Sequence, residues 1–133
     1  MARKAVVDAV EARLAAHWTR CPVIGINLQG EPPHDASPYL VVQYPIAETA
    51  RVSLGTAYYR EEGAIRFVLH VRRNRGLAEG LSWADELAAL FRYQKFDGVE
   101  CQAPTSPFID DSNDEGAYFL LSVVAPYTHT FRD

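Results

Sequence analysis

The stretch Ala64–Arg72 constrains this chain more than any other, because Ile65, Phe67, Leu69 and Val71 alternate with Arg66, His70 and Arg72. A period of two belongs to a β-strand, whose successive side chains leave opposite faces. One face must be buried; the other is half polar and open to water or to a partner. Such a strand needs neighbours for its backbone and a second layer for its apolar face.

Candidate neighbours recur along the chain. Tyr39–Tyr44 is a near-continuous apolar run rich in valine and tyrosine, as expected of a central strand covered on both faces. Arg51–Tyr59 reads as a weaker strand, with Val52, Leu54, Thr56 and Tyr58 alternating against Arg51, Ser53 and Ala57. Val23–Leu28 and Val99–Ala103 read as short strands. Ala117–Tyr127 is the last strand, with Phe119, Leu121, Val123 and Ala125 on one face. Pro126 puts its end at a sheet edge or outside the sheet.

Two helices supply the second layer. Over residues 3–18, Val7, Val10, Leu14 and Trp18 recur at helical spacing, and Cys21-Pro22 ends the segment. Over Leu77–Tyr93, Leu81, Ala84, Ala88 and Phe91 form one stripe and Trp83, Leu87 and Leu90 an adjoining one. Gln29–Pro38, Arg73–Gly76 and Pro104–Gly116 read as loops. Strands consecutive over Tyr39–Arg72 favour antiparallel pairing. The expectation is an α+β fold of two layers, a mainly antiparallel mixed sheet with two helices on one face, forming a single domain over residues 1–133. The opposite sheet face would carry Arg66, His70, Arg72, Tyr118 and Ser122, a candidate subunit contact.

Composition narrows the function classes. With 48% hydrophobic and 23% charged residues among 133, the chain reads as one globular domain. No apolar run approaches the ~20 residues of a membrane span. Met1-Ala2-Arg3-Lys4 starts like a signal peptide, but Asp8, Glu11 and Arg13 break its apolar segment, which places the protein in the cytoplasm. A net charge of −4 lacks the basic balance of a dedicated nucleic-acid binder. Cys21 and Cys101 fit no zinc spacing and read as buried small apolar residues.

The acidic turn Asp110-Asp111-Ser112-Asn113-Asp114-Glu115-Gly116 is the strongest candidate for chemistry. Asp111, Asn113 and Glu115 imitate half a calcium loop, but the twelfth position is Ser122 inside an apolar strand rather than a bidentate glutamate. A magnesium site needs carboxylates from separate elements, and Asp97 and Glu100 are the other nearby ones. The turn therefore reads as a solvated bend, with a metal-dependent hydrolase or nuclease using Asp110, Asp111, Asp114 and Glu115 as the alternative.

His17, His34, His70 and His129 share no metal-ligand spacing, and His17 suits a helix C-terminus. Neither a Gly-x-Ser-x-Gly elbow nor a glycine-rich phosphate loop is present. No catalytic residue, cofactor or metal site is assigned. Candidate contact residues are Tyr58, Tyr59 and Arg60, with the amphipathic composition of interfaces, together with Arg66, His70, Arg72, Arg73 and Arg75. A ligand pocket would have to bring Tyr39, Trp83 and Tyr118 together.

Several blocks resemble a known family when taken in order. They are Arg3-Lys4-Ala5-Val6-Val7-Asp8-Ala9-Val10-Glu11-Ala12-Arg13-Leu14 and Ser37-Pro38-Tyr39-Leu40-Val41-Val42-Gln43-Tyr44-Pro45. Further on come Arg60-Glu61-Glu62-Gly63-Ala64-Ile65-Arg66-Phe67-Val68-Leu69-His70-Val71, Trp83-Ala84-Asp85-Glu86-Leu87, Ile109-Asp110-Asp111 and Gly116-Ala117-Tyr118-Phe119. Together they resemble the tail-terminator-like proteins of long-tailed phages and prophages. The resemblance implies a structural virion component rather than an enzyme, assembled in the bacterial cytoplasm. It implies a homo-oligomeric ring, a hexamer, on the head-proximal end of the tail tube. Such a ring ends tube polymerisation, offers a surface to head-completion or neck proteins, and passes DNA as cargo. A neck or head-closure protein is the related alternative.

Overall fold

A computed structural model describes residues 1–24, 37–52, 55, 57–72, 78–109 and 118–132. The chain order is α1 (Lys4–His17), β1 (Val23–Ile24), β2 (Tyr39–Arg51), β3 (Tyr58–Arg72), α2 (Ala78–Phe91), β4 (Lys95–Phe96), β5 (Val99–Cys101), β6 (Phe108–Ile109) and β7 (Tyr118–Arg132). The strands form one seven-stranded sheet in the order β1-β2-β3-β7-β5-β4, with β6 also on β7. Only β1 on β2 is parallel among these pairings, so the expected mixed, mainly antiparallel α+β sheet is present.

The alternation at 64–72 is realised as read. Ile65, Phe67, Leu69 and Val71 of β3 are buried in one cluster with Leu40, Val42 and Tyr44 of β2 and Leu121, Val123, Ala125 and Tyr127 of β7. Both helices bury their stripes in that same cluster, through Val6, Ala9, Val10, Leu14 and Trp18 of α1 and Ala84, Leu87, Ala88 and Phe91 of α2. Each large apolar side chain fully buried this way contributes on the order of 1.5–3 kcal/mol. The stripes differ in detail from the periodicity alone: Val6 and Ala9 replace Val7 at the centre of α1, and Leu81 stays exposed on α2. Arg13 ties the helices together, its Nε donating to the Leu90 carbonyl at 2.8 Å near the end of α2.

Three strand assignments change. β2 does not stop at Tyr44 but runs to Arg51 through Pro45, and its register with β3 shifts between Gln43 and Ile46. A proline is tolerated at such a bulge because the ladder is already interrupted there. Arg51–Tyr59 is not a strand: β2 ends and β3 begins across a turn at Gly55, closed by the Val52 N–H donating to the Tyr58 carbonyl at 2.9 Å. Tyr39–Tyr44 is therefore not central; β3 and β7 are, and beyond Val41 no described strand pairs with the outer edge of β2.

Pro126 lies mid-strand rather than at an end, because β7 continues to Arg132 between β3 and β5. Its carbonyl accepts from the Gln102 N–H at 2.9 Å, so its backbone faces β5 and costs the β3 ladder nothing. The Gln102 carbonyl, which would otherwise want a Pro126 N–H, accepts from the Tyr93 N–H at 3.4 Å instead.

Two short strands, β4 and β6, were not anticipated, whereas β5 falls within the expected Val99–Ala103 strand. β4 and β5 form a hairpin whose loop is Asp97 (φ 46°) and Gly98 (φ 82°), both in the left-handed region that a two-residue hairpin requires. β6 lies inside the segment read as loop, pairing Phe108 with Ser122 and Ile109 with Leu121. Residues 25–36, 53, 54, 56, 73–77, 110–117 and 133 lie outside the described residues, and with them most of the Val23–Leu28 strand, the Gln29–Pro38 loop and the acidic turn.

Candidate functional site

The candidate contact residues distribute along β3 by parity. Tyr58, Arg60, Arg66 and His70 share the face opposite the helices, since β3 pairs with β7 without a register shift, and the backbone of Arg72 closes the strand opposite Tyr118. Tyr59 has the other parity and lies on the helix side. Arg60 and Arg72 are twelve residues apart on an extended strand, a span of roughly 40 Å. The set therefore divides into two patches. Arg73 and Arg75 lie outside the described residues.

The first patch is the middle of the far sheet face. The Arg66 Nη2 donates to Ser122 Oγ at 3.3 Å, and the guanidinium carbon lies 5.9 Å from the centroid of the Phe108 ring. The His70 ring stacks on Tyr39 at 4.2 Å between centroids, and its Nδ1 lies 3.3 Å from the Val68 carbonyl. The expectation of an open polar face needs correction at the centre, because Ser122 is 0% and Val68 4% exposed. Arg66 and His70 are half-buried around that dry centre. At its margin, Phe108 and Ile109 of β6 are exposed large apolar residues.

The second patch is the arm made by the β2–β3 hairpin and the end of β7. On its helix side Tyr59 stacks on Phe131 at 5.5 Å, Phe131 on His129 at 5.9 Å, and the Arg3 guanidinium sits 3.6 Å above Phe131. The His129 Nδ1 lies 2.8 Å from the Gly98 carbonyl, which orients the ring as a donor toward the β4–β5 turn. On the opposite side Tyr58 is exposed beneath Arg132, whose guanidinium lies 5.7 Å from the ring centroid. Ile46 and Val52 add exposed apolar surface.

Where core meets arm, the chain buries a polar cluster. Glu61 is 2% exposed and its Oε1 accepts the Arg3 backbone N–H at 3.1 Å, at the start of α1. A carboxylate there complements the helix N-terminus. Burial pushes both the Tyr44 and the Tyr127 phenol well above the usual range, aided by Glu11 and then Tyr127 at Tyr44 and by Glu61 at Tyr127. Gly63 makes the packing possible. A side chain there would strike the Ile46 carbonyl oxygen and come within 2.8 Å of the Tyr127 hydroxyl.

Other candidate chemistry does not converge. Tyr39 lies on the far face while Trp83 packs against the helix-side core, so the sheet separates them. Among the described residues no group of three or more His, Cys, Asp or Glu is placed to hold a metal ion. Cys101 is buried and Cys21 half-buried, both as free thiols. Sequence reasoning missed Tyr93, which follows α2 with φ 53° and a ring 70% exposed. A bulky residue held in that region carries mild strain, and composition gives no sign of it. It also missed the β4–β5 hairpin, although Asp97-Gly98 is the dipeptide such turns select.

The fold is shared with solved structures. Fifteen solved chains match; one aligns with a TM-score of 0.61 at 21% identity, over 100% of this chain and 99% of its own. At that identity the likeness shows the architecture alone. No curated protein matches. The model of the phage tail terminator protein family matches residues 5–127, so this chain belongs to that family. The family is one of structural phage-tail proteins, which makes the chain a virion component.

Proposed function

We propose that copies of this chain assemble into a closed ring, a hexamer, on the head-proximal end of a phage tail tube. There the ring ends polymerisation of the tube protein, offers its outer surface to head-completion proteins and passes DNA through its centre. The observation that carries this reading is the family match across residues 5–127. A ring needs two different patches of one subunit to meet. The half-buried Arg66 and His70 with the exposed Phe108 and Ile109 supply one, and Tyr58, Arg60, Ile46 and Val52 on the arm supply another. The net charge of −4 suits a conduit from which DNA must slide freely.

The test adds purified protein to polymerising tail-tube protein and images the products by electron microscopy, with mass photometry of the protein alone. The expected result is a ring-shaped density at one tube end and tubes of limited length. A chain that stays monomeric and leaves tube growth unchanged overturns the reading.

A further inference from the structure

On the arm, the outer edge of β2 offers a defined set of backbone groups. The Val52 N–H donates to the Tyr58 carbonyl at 2.9 Å, and the ladder below pairs Ala50 with Arg60, Glu48 with Glu62 and Ile46 with Ala64. In antiparallel strands every second pair exchanges such bonds, so these even residues use theirs on β3. The N–H and C=O of Ala47, Thr49 and Arg51 point the other way, to an edge that no described strand covers. Sheet edges are commonly blunted with lysine, proline or a bulge. Here Pro45 and the bulge lie before Ile46, and none of these devices occurs from Ile46 to Arg51.

Side chains select the occupant. Ile46 and Val52, 55% and 44% exposed, share the far face and lie symmetrically about Thr49. A second β2 laid antiparallel about Thr49 brings each Ile46 opposite the other copy's Val52, at non-hydrogen-bonded positions where side chains approach closest. The same register sets Thr49 opposite Thr49 and Ala47 opposite Arg51, so the outward backbone groups of both edges pair. Charge agrees. Within one chain Glu48 stands opposite Glu62, a like-charge pair, and Arg60 meets Glu62 only at 3.9 Å. Across the two copies Glu48 faces Ala50, and over that small side chain the other copy's Arg60 reaches it from the next strand, roughly 10 Å away between Cα atoms. Arg51, 5.9 Å from the Tyr59 ring centroid, falls opposite Ala47 and meets no like charge.

We propose that two copies of this chain pair along residues 46–52 of their β2 edges, across a two-fold axis at Thr49, joining their sheets. A two-fold contact is isologous and does not propagate a ring, so this dimer goes beyond the ring reading and does not rest on it. It covers Ile46 and Val52, part of the arm surface assigned to the ring. The dimer therefore holds the chain in a form that must separate before that surface is used.

The test combines sedimentation velocity of the full chain with mild oxidation of Thr49→Cys. A cysteine on the axis faces its own copy at about 5.5 Å between Cα atoms, within disulfide reach. The wild-type chain is expected to sediment as a dimer. Thr49→Cys should form a covalent dimer about tenfold faster than Ser106→Cys, an exposed position away from this edge. Thr49→Pro removes an N–H that faces the edge rather than β3, so it should keep the fold and abolish the dimer. Glu48→Arg should weaken association roughly fivefold at low salt, the size of two exposed ion pairs, and adding Arg60→Glu should restore it. If the proline variant does not fold, the cross-link and the charge swap decide. A chain that stays monomeric at millimolar concentration overturns the proposal, as does equal oxidation of the two cysteine variants. Rings at tube ends without the Thr49→Cys cross-link leave the ring reading standing and overturn this one. A monomeric wild type whose capping of tubes is lost in Thr49→Pro gives the edge to a tube subunit instead.

Discussion

The same three strands, β2, β3 and β7, are held by different physics at their two ends. Beneath the helices, Leu40, Val42, Ile65, Phe67, Leu69, Leu121 and Val123 meet in a dry apolar layer. Past Tyr44 and Gly63 the strands continue with Glu48, Arg51, Arg60, Glu62 and Arg132, most of them exposed. That arm is fixed by stacked rings, by the Arg3 guanidinium over Phe131 and by one buried carboxylate. Apolar burial is worth a lot per residue and tolerates imprecise geometry; stacks and polar contacts are worth less and demand register. The helix-side block therefore carries stability, and the arm offers a chemically varied surface.

Substitutions separate the two ends, and the core should show the largest effect. Phe91 is fully buried and packs at 4.7 Å on Phe67, so Phe91→Ala should cost about 3–5 kcal/mol in urea unfolding. A loss under 1 kcal/mol would mean that the helix layer is not what holds the sheet. Gly63→Ala attacks the junction. Its new methyl meets the backbone of Ile46, which cannot swing aside as a side chain can, and a cost of about 1–3 kcal/mol is expected. Unchanged stability would show that the arm shifts freely relative to the core.

Alkaline pH probes the core from another direction. Burial pushes the Cys101 thiol from its ordinary 9.0 to about 11. A folded-state pKa above the unfolded one gives stability that is present below about 9 and is lost as pH rises toward 11. Stability should therefore fall across that window, and less steeply in Cys101→Ala; identical slopes would refute the assignment. The smallest effect belongs to the arm. Arg3→Ala removes a cation from the Phe131 ring but leaves the backbone bond to Glu61, so about 0.5–1 kcal/mol should be lost.

What was legible in the sequence follows the same division. The β3 alternation, the two helices and the inward face of β7 were readable because apolar periodicity reports burial on one side. The arm was not, since residues 45–51 are mostly exposed and the inward positions of 58–62 are Tyr59 and a buried carboxylate, Glu61, rather than an apolar repeat. Pro126 misled because a proline in a strand is excluded only where a partner needs its N–H, and β5 has ended by then. The contact residues were identified by type, but only the strand's parity puts Tyr59 on the other face, and only its length sets Arg60 and Arg72 roughly 40 Å apart.

The fifteen-residue ladder between β3 and β7 runs from Tyr58 opposite Arg132 to Arg72 opposite Tyr118 without a slip. Two antiparallel strands of that length make a stiff spar of roughly 50 Å. Tension applied along it loads many hydrogen bonds in shear at once, so a pull on the arm reaches the helix-covered end with little stretch. A subunit built around such a spar is suited to bearing mechanical load between whatever it grips at either tip.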